Sequence, residues 1–147
     1  MIIARYPEPD EIINSGPETL VDLKVASRTG MREINDPRPA IHASISCKLT
    51  MRSDRSQNSR SESLNLIRNR KGKTPHIVVL TAEPTPSRLS SLALGTGDID
   101  CVYHVALPEL MEAVAAKGSD DSNESMRIMV EGRRLRDIAD LPFDLAI

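Results

Sequence analysis

The chain has 147 residues, enough for one hydrophobic core and short for two of ordinary size. Aromatic residues make up only 2%, with no Trp, so the core must be built from Leu, Ile, Val, Ala and Met, and the composition argues against stacking of single-stranded bases on an aromatic platform. No run of apolar residues is long enough to cross a membrane, and the first residues are broken by Arg5, Pro7 and Pro9, unlike a signal peptide; the expected location is the cytoplasm.

In chain order, Met1 to Ala4 is an apolar run that begins without a turn or cap, as though inside a strand. Ser15-Gly16-Pro17-Glu18 predicts the cap of a short helix through Leu23, and Asn35 to Pro39 reads as a loop. From Ile41 to Lys48 the residues alternate strictly: Ile41, Ala43, Ile45 and Cys47 against His42, Ser44, Ser46 and Lys48, the pattern of a half-buried strand. The capping-box spacing of Ser59-Arg60-Ser61-Glu62 predicts a helix from Ser59 to Asn69 with Leu64, Leu66 and Ile67 inward. His76 to Ala82 suits a strand buried on both faces. A short helix from Pro86 to Leu94, a turn at Gly95 to Asp98, a strand from Cys101 to Ala106 and a helix from Pro108 to Ala116 follow. Lys117 to Asn123 reads as a polar loop and Glu124 to Arg136 as a helix. Strands separated by helices imply a mixed or mostly parallel sheet with helical cover.

Cys47 and Cys101 lie far apart without a CxxC and the histidines are scattered at 42, 76 and 104, so neither a disulfide framework nor a zinc site is expected. Both cysteines are expected to be small buried apolar groups. The net charge of −2 hides an asymmetry: Lys48 to Lys73 contains eight basic residues and two acids. A basic island in an acidic protein is suited to a polyanion, although a solvated charged helix has the same composition. Within it, Lys48 ends a strand on the polar face, and Glu62 is either the third residue of a capping box or a metal carboxylate. Arg52-Ser53-Asp54-Arg55 is either a surface ion pair or a reader of C·G pairs, with arginine donating to guanine and aspartate accepting from cytosine. Gly95-Thr96-Gly97-Asp98 lacks a phosphate-loop pattern and reads as a turn.

Ser46-Cys47-Lys48, then Arg52-Ser53-Asp54-Arg55, then a helix bearing Glu62, in this order and spacing, resembles the NgoMIV family of type II restriction endonucleases in the PD-(D/E)XK superfamily. The likeness continues through Asn65 to Lys73, Thr81 to Pro84, Leu92 to Cys101 and Arg134 to Asp137. It implies an α/β restriction-endonuclease-like core, a mixed sheet flanked by helices, that hydrolyses double-stranded DNA with Mg²⁺ at a CCGG-centred palindrome such as GCCGGC. By the same likeness Lys48 is the catalytic lysine, Glu62 the helix-borne catalytic and metal carboxylate, and Ser46 stands where relatives often have an acid. The main-chain carbonyl of Cys47 becomes a metal ligand, and Arg52, Asp54 and Arg55 become base readers. Members act as dimers or tetramers. The family's Pro-Asp motif falls at or before Met1, so residues 1–147 are expected to be a single partial domain, the C-terminal half of such an enzyme, impaired in cutting. A DNA-binding fragment without hydrolysis and an acidic interaction domain are the alternatives.

Overall fold

A computed structural model describes residues 1–95 and 97–147, together with the side chains of all of these except Ser53, Asp54 and Arg55. The turn expected at Gly95 to Asp98 is therefore outside the described residues at Thr96, while Gly97 takes the left-handed backbone, φ 83°, that a glycine adopts freely. The chain forms two compact units, Ile2–His42 and a second comprising Met1 with Ala43–Ile147.

The smaller unit holds strand β1 (Ile2–Arg5) and a single helical turn, α1 (Asp10–Ile13). The helix expected through Leu23 does not form. Side chains compete for its backbone: Asn14 Oδ1 accepts from the Leu20 and Val21 N–H groups at 2.8 and 3.0 Å, and Asp22 Oδ1 accepts from Lys24 and Val25. Arg32 organises the rest. Its guanidinium is 4% exposed, forks onto both oxygens of Asp10, and donates to the carbonyls of Asp22 and Ser27 at 2.9 and 3.1 Å. A buried cation is tolerated when it is paired and its N–H groups are used.

The larger unit is an α/β sandwich built on β2 (Ala40–Lys48), β3 (His76–Thr81), β4 (Cys101–His104) and β5 (Leu135–Asp137). Each strand pairs in parallel with the next. Met1 and Ile45 exchange both backbone hydrogen bonds, at 2.7 and 2.8 Å, which is an antiparallel pairing and makes the sheet mixed. The intervening helices are α2 (Ser53–Asn69), α3 (Pro86–Ala93), α4 (Leu107–Lys117) and α5 (Asp120–Glu131). Right-handed crossovers advancing in one direction put connecting helices on one face. Accordingly, register carries Ser46, Val79, Val102 and Leu135 onto one face, and Val79, Val102 and Leu135 meet Leu89, Leu92, Leu110, Val114, Met126 and Met129 of the helices in one apolar core. On the opposite face Tyr103 donates to Asp144 at 2.6 Å and Arg136 pairs with the same carboxylate, pinning the last helix, α6 (Leu141–Asp144). Burial pushes the nearby Cys101 thiol up to about 11.

Three sequence expectations fail for identifiable reasons. Helix α2 begins at Ser53 rather than Ser59, because nothing from Ser53 to Asn58 breaks a helix, and Ser59 lies mid-helix. Helix α5 begins at Asp120, where the Ser119 hydroxyl accepts from the Ser122 N–H at 3.3 Å and two aspartates complement the helix dipole. It ends at Glu131, because burial of Leu135 against β4 converts the expected last helical turn into β5. Finally, Ala43 and Ile45 are buried as the alternation requires, but Ile41 and Cys47, towards the ends of β2, are exposed. Cys47 is not an interior apolar group; it lines an open cavity with Leu80, Ala82 and Val105.

Leu89 has no exposed surface, so Leu89→Ala should lower the unfolding free energy by ~2–5 kcal/mol, the cost of a buried leucine cavity, as read by urea denaturation. A loss below ~1 kcal/mol would contradict the packing described.

Candidate functional site

Strand β2 delivers Ser46 and Lys48 to the helix-covered face, and α2 crosses above them. The helix comes close because the positions it turns inward are small. Ser59 and Ser63, one turn apart, are both buried, and the Ser63 hydroxyl satisfies itself on the Ser59 carbonyl at 2.8 Å. Leu64, expected inward, is 39% exposed; the inward residues after Ser63 are the half-buried Leu66 and Ile67. With Ser59 Oγ 3.2 Å from Ser46 Oγ, the next turn brings Glu62 over the strand, and Ser46 donates a long hydrogen bond to Glu62 Oε2 at 3.4 Å. Glu62 is thus no capping-box residue; its carboxylate is exposed at the seam between β2 and α2. Lys48 is half-buried two residues beyond Ser46 on the same face.

Arg52 is exposed and precedes the first turn of α2, which has no side-chain cap there. The N–H groups of a helix's first turn and its dipole favour an anion. The side chains of Asp54 and Arg55 lie outside the described residues, although the backbone of both is in that first turn.

Glu83, which sequence reasoning missed, fixes the approach of α2. It follows β3 and has no exposed surface. Its Oε2 accepts from the Met51 N–H at 2.7 Å, its Oε1 from the Thr85 N–H at 3.0 Å, and Arg88 lies 3.5 Å away. Burial pushes the carboxyl pKa up, but the bonds from Thr85 and Met51 and the Arg88 charge outweigh it, so the group sits below the ordinary glutamate value. The Leu49 carbonyl accepts from the Ala82 N–H at 3.1 Å, extending the β2–β3 pairing past Lys48. No local pattern singled it out, because its partner Met51 lies 32 residues earlier in the chain.

The row beyond Ser46 runs Lys48, Thr81, His104, Asp137 across the four strands. His104 is 4% exposed; its Nδ1 accepts from the Ala106 N–H at 3.1 Å, and its Nε2 has no partner among the described residues. Nothing in the alternation of β4 singled it out.

Magnesium takes hard oxygen ligands in octahedral geometry and is bound through one or two carboxylates with substrate phosphate and water. Among the described residues no three His, Cys, Asp or Glu side chains converge. Glu62, with the Cys47 carbonyl, is a one-carboxylate set. These residues do not by themselves fit a resident Mg²⁺.

A mixed sheet flanked by helices, with Ser46-Cys47-Lys48 at the end of one strand and Glu62 on the helix above it, is an α/β core of the kind that the restriction-endonuclease likeness implies. The chain belongs to the NgoMIV restriction enzyme family, whose pattern matches residues 1–147. It is 56% identical over 147 residues to the type II restriction enzyme NgoMIV of Neisseria gonorrhoeae, covering 100% of this chain and 51% of that protein. The chain therefore spans about half the length of the relative it matches. A solved structure, a restriction endonuclease PspGI–substrate DNA complex, aligns with 97% of this chain and 54% of that one at 16% identity and a TM-score of 0.45. No described helix is long and apolar enough to cross a membrane.

Replacing Glu83 by Gln leaves a buried N–H of Met51 or Thr85 facing another donor, so it should cost ~1–3 kcal/mol at pH 7. Because the folded pKa is depressed, the native advantage is complete above the unfolded value, about 4.3, and fades as pH falls through the folded one. Urea titrations of both proteins at pH 7 and pH 3 should show the gap narrowing in acid; a gap independent of pH would refute the role.

Proposed function

We propose that this chain is the C-terminal part of a type II site-specific deoxyribonuclease that acts on double-stranded DNA at a CCGG-centred palindrome, GCCGGC by the family likeness. Lys48 and Glu62 are its catalytic residues, Ser46 holds the glutamate, and Glu62 with the Cys47 carbonyl contributes the chain's share of the Mg²⁺ ligands. Arg52, Asp54 and Arg55 read the bases, and a two-fold oligomer, dimer or tetramer, applies the same readers to both strands. The observation that carries this reading is the contact of Ser46 with Glu62 across the seam of β2 and α2, in a chain that shares 56% identity with its restriction-enzyme relative. The basic island from Lys48 to Lys73 supports a polyanionic partner.

Because one carboxylate is a short ligand set for magnesium, the chain by itself should bind without cutting. In gel-shift competition the 147-residue protein should prefer a GCCGGC duplex to one with its centre scrambled. Arg55→Ala should remove that preference, each arginine contributing on the order of 1–3 kcal/mol of discrimination, and leave weak unspecific binding. Equal affinity for the two duplexes in the native protein would overturn base reading. Plasmid cleavage in Mg²⁺ that needs both the site and Lys48, absent in Lys48→Ala, would overturn the ligand argument and mean that another group supplies the missing oxygen.

A further inference from the structure

The Ser59-x-x-Glu62 spacing does not serve as a helix cap, because α2 begins at Ser53 and runs through it. Three residues apart on a helix, the two side chains are neighbours on one face, Ser59 about a turn before Glu62. Ser46 of β2 stands against both: its Oγ lies 3.2 Å from Ser59 Oγ and 3.4 Å from Glu62 Oε2. One hydroxyl on the strand thus meets two successive turns of the helix.

A serine hydroxyl has one hydrogen and two lone pairs, and a carboxylate only accepts. The Ser46 hydrogen therefore has two claimants, of which one is charged. A hydrogen bond to an ionised acceptor is roughly twice as strong as a neutral one, so the hydrogen goes to Glu62. The contact between Ser46 and Ser59 is then donated by Ser59, and the three groups form a directed chain from Ser59 through Ser46 to Glu62. A hydroxyl that accepts such a bond gives its own hydrogen more strongly, by roughly 10–30%.

Burial sets which link is irreplaceable. Glu62 is exposed and Ser46 half-buried, so water competes for both, whereas Ser59 has no exposed surface. Ser63, a turn further along α2, is also buried but spends its hydrogen within the helix, on the Ser59 carbonyl at 2.8 Å. An exposed glutamate is free to explore many rotamers, and a group that works on a substrate must be held within about 0.5 Å. We propose that Ser59 is a positioning residue of the seam: its hydroxyl fixes the rotamer of Ser46 and, through Ser46, holds the Glu62 carboxylate at the end of β2. This rests on the reading of Glu62 as catalytic and adds to it a residue that acts only through another. The role is separate from the small size that lets α2 approach β2, which alanine would serve as well.

The test reads rotamers rather than cleavage and needs neither DNA nor metal. Three-bond NMR couplings across the Cα–Cβ bonds of Ser46 and Glu62 are measured in the labelled 147-residue protein, where each residue should show the values of a single staggered rotamer. Ser59→Ala keeps the size and removes the hydroxyl, and should move the couplings of both residues to averaged values. Ser46→Ala should release Glu62 to the same extent. Adding Ser59→Ala to it should release nothing more, because residues that act through one another are not additive. Ser63→Ala, which deletes another buried hydroxyl of α2, should leave both residues as in the native chain. Ser59→Cys, with a weak donor of similar size, carries the test if Ser59→Ala does not fold.

Single-rotamer couplings for both residues in folded Ser59→Ala or Ser59→Cys would overturn the proposal. Release of Glu62 with Ser46 still fixed would do the same, as would equal release by Ser63→Ala, since helix packing rather than the hydroxyl would then hold the glutamate. Averaged Glu62 couplings in the native chain would also contradict it. Failure of the underlying reading shows elsewhere: a native chain that binds no duplex DNA in a gel shift would overturn the nuclease reading while these couplings stay as predicted.

Discussion

The carboxylate of Glu83 has no exposed surface, and it holds together the two parts of the chain on which the site depends. One oxygen takes the backbone of Met51, in the loop that leaves β2; the other takes Thr85, in the loop that leaves β3 for α3. Burying an ion is costly unless its lone pairs are used, and here backbone N–H groups and the Arg88 charge use them. With Met51 held and its side chain packed in the core, α2 can leave only in a direction that carries it back across β2. A residue without a side-chain acceptor at position 83 would leave both N–H groups unpaired and the start of α2 unanchored.

From that anchor the functional surface follows by size and spacing. Ser59 and Ser63 let α2 settle close to β2, so Glu62, one turn further round, meets Ser46. Arg52 precedes the helix and is exposed, while Arg60 turns towards α3, where the Ser91 carbonyl and the gap at Gly95 receive it. The chemistry of the seam is lopsided: a lysine, a hydroxyl and one carboxylate, with no second acid among the described residues to share a cation. The proposed binding without cleavage follows from that imbalance.

Much of this was legible in the sequence where local pattern and tertiary demand agree. The alternation from His42 to Ser46, the β-branched run of β3 and the proline-led starts of α3 and α4 all say in one dimension what the sheet and its cover require. Where a side chain serves a distant partner, local pattern misleads. Ser59-x-x-Glu62 has the spacing of a cap, yet its serine faces Ser46 and its glutamate the strand end, because α2 continues through it. Leu135 has helical neighbours but pairs with Val102. The short stretch after α1 has the letters of a helix start, and Asn14 and Asp22 take its backbone first. Glu83 and Arg60 were invisible for the same reason: burial and partner lie thirty or so residues away.

The most direct measurement is a map by two-dimensional NMR of the backbone amides that shift when a GCCGGC duplex is added to the labelled protein. The account predicts one contiguous footprint: the end of β2, Leu49 to Arg52 and the first two turns of α2, with the β5 and α6 amides unmoved. A footprint centred elsewhere, or no shifts at saturating duplex, would contradict it.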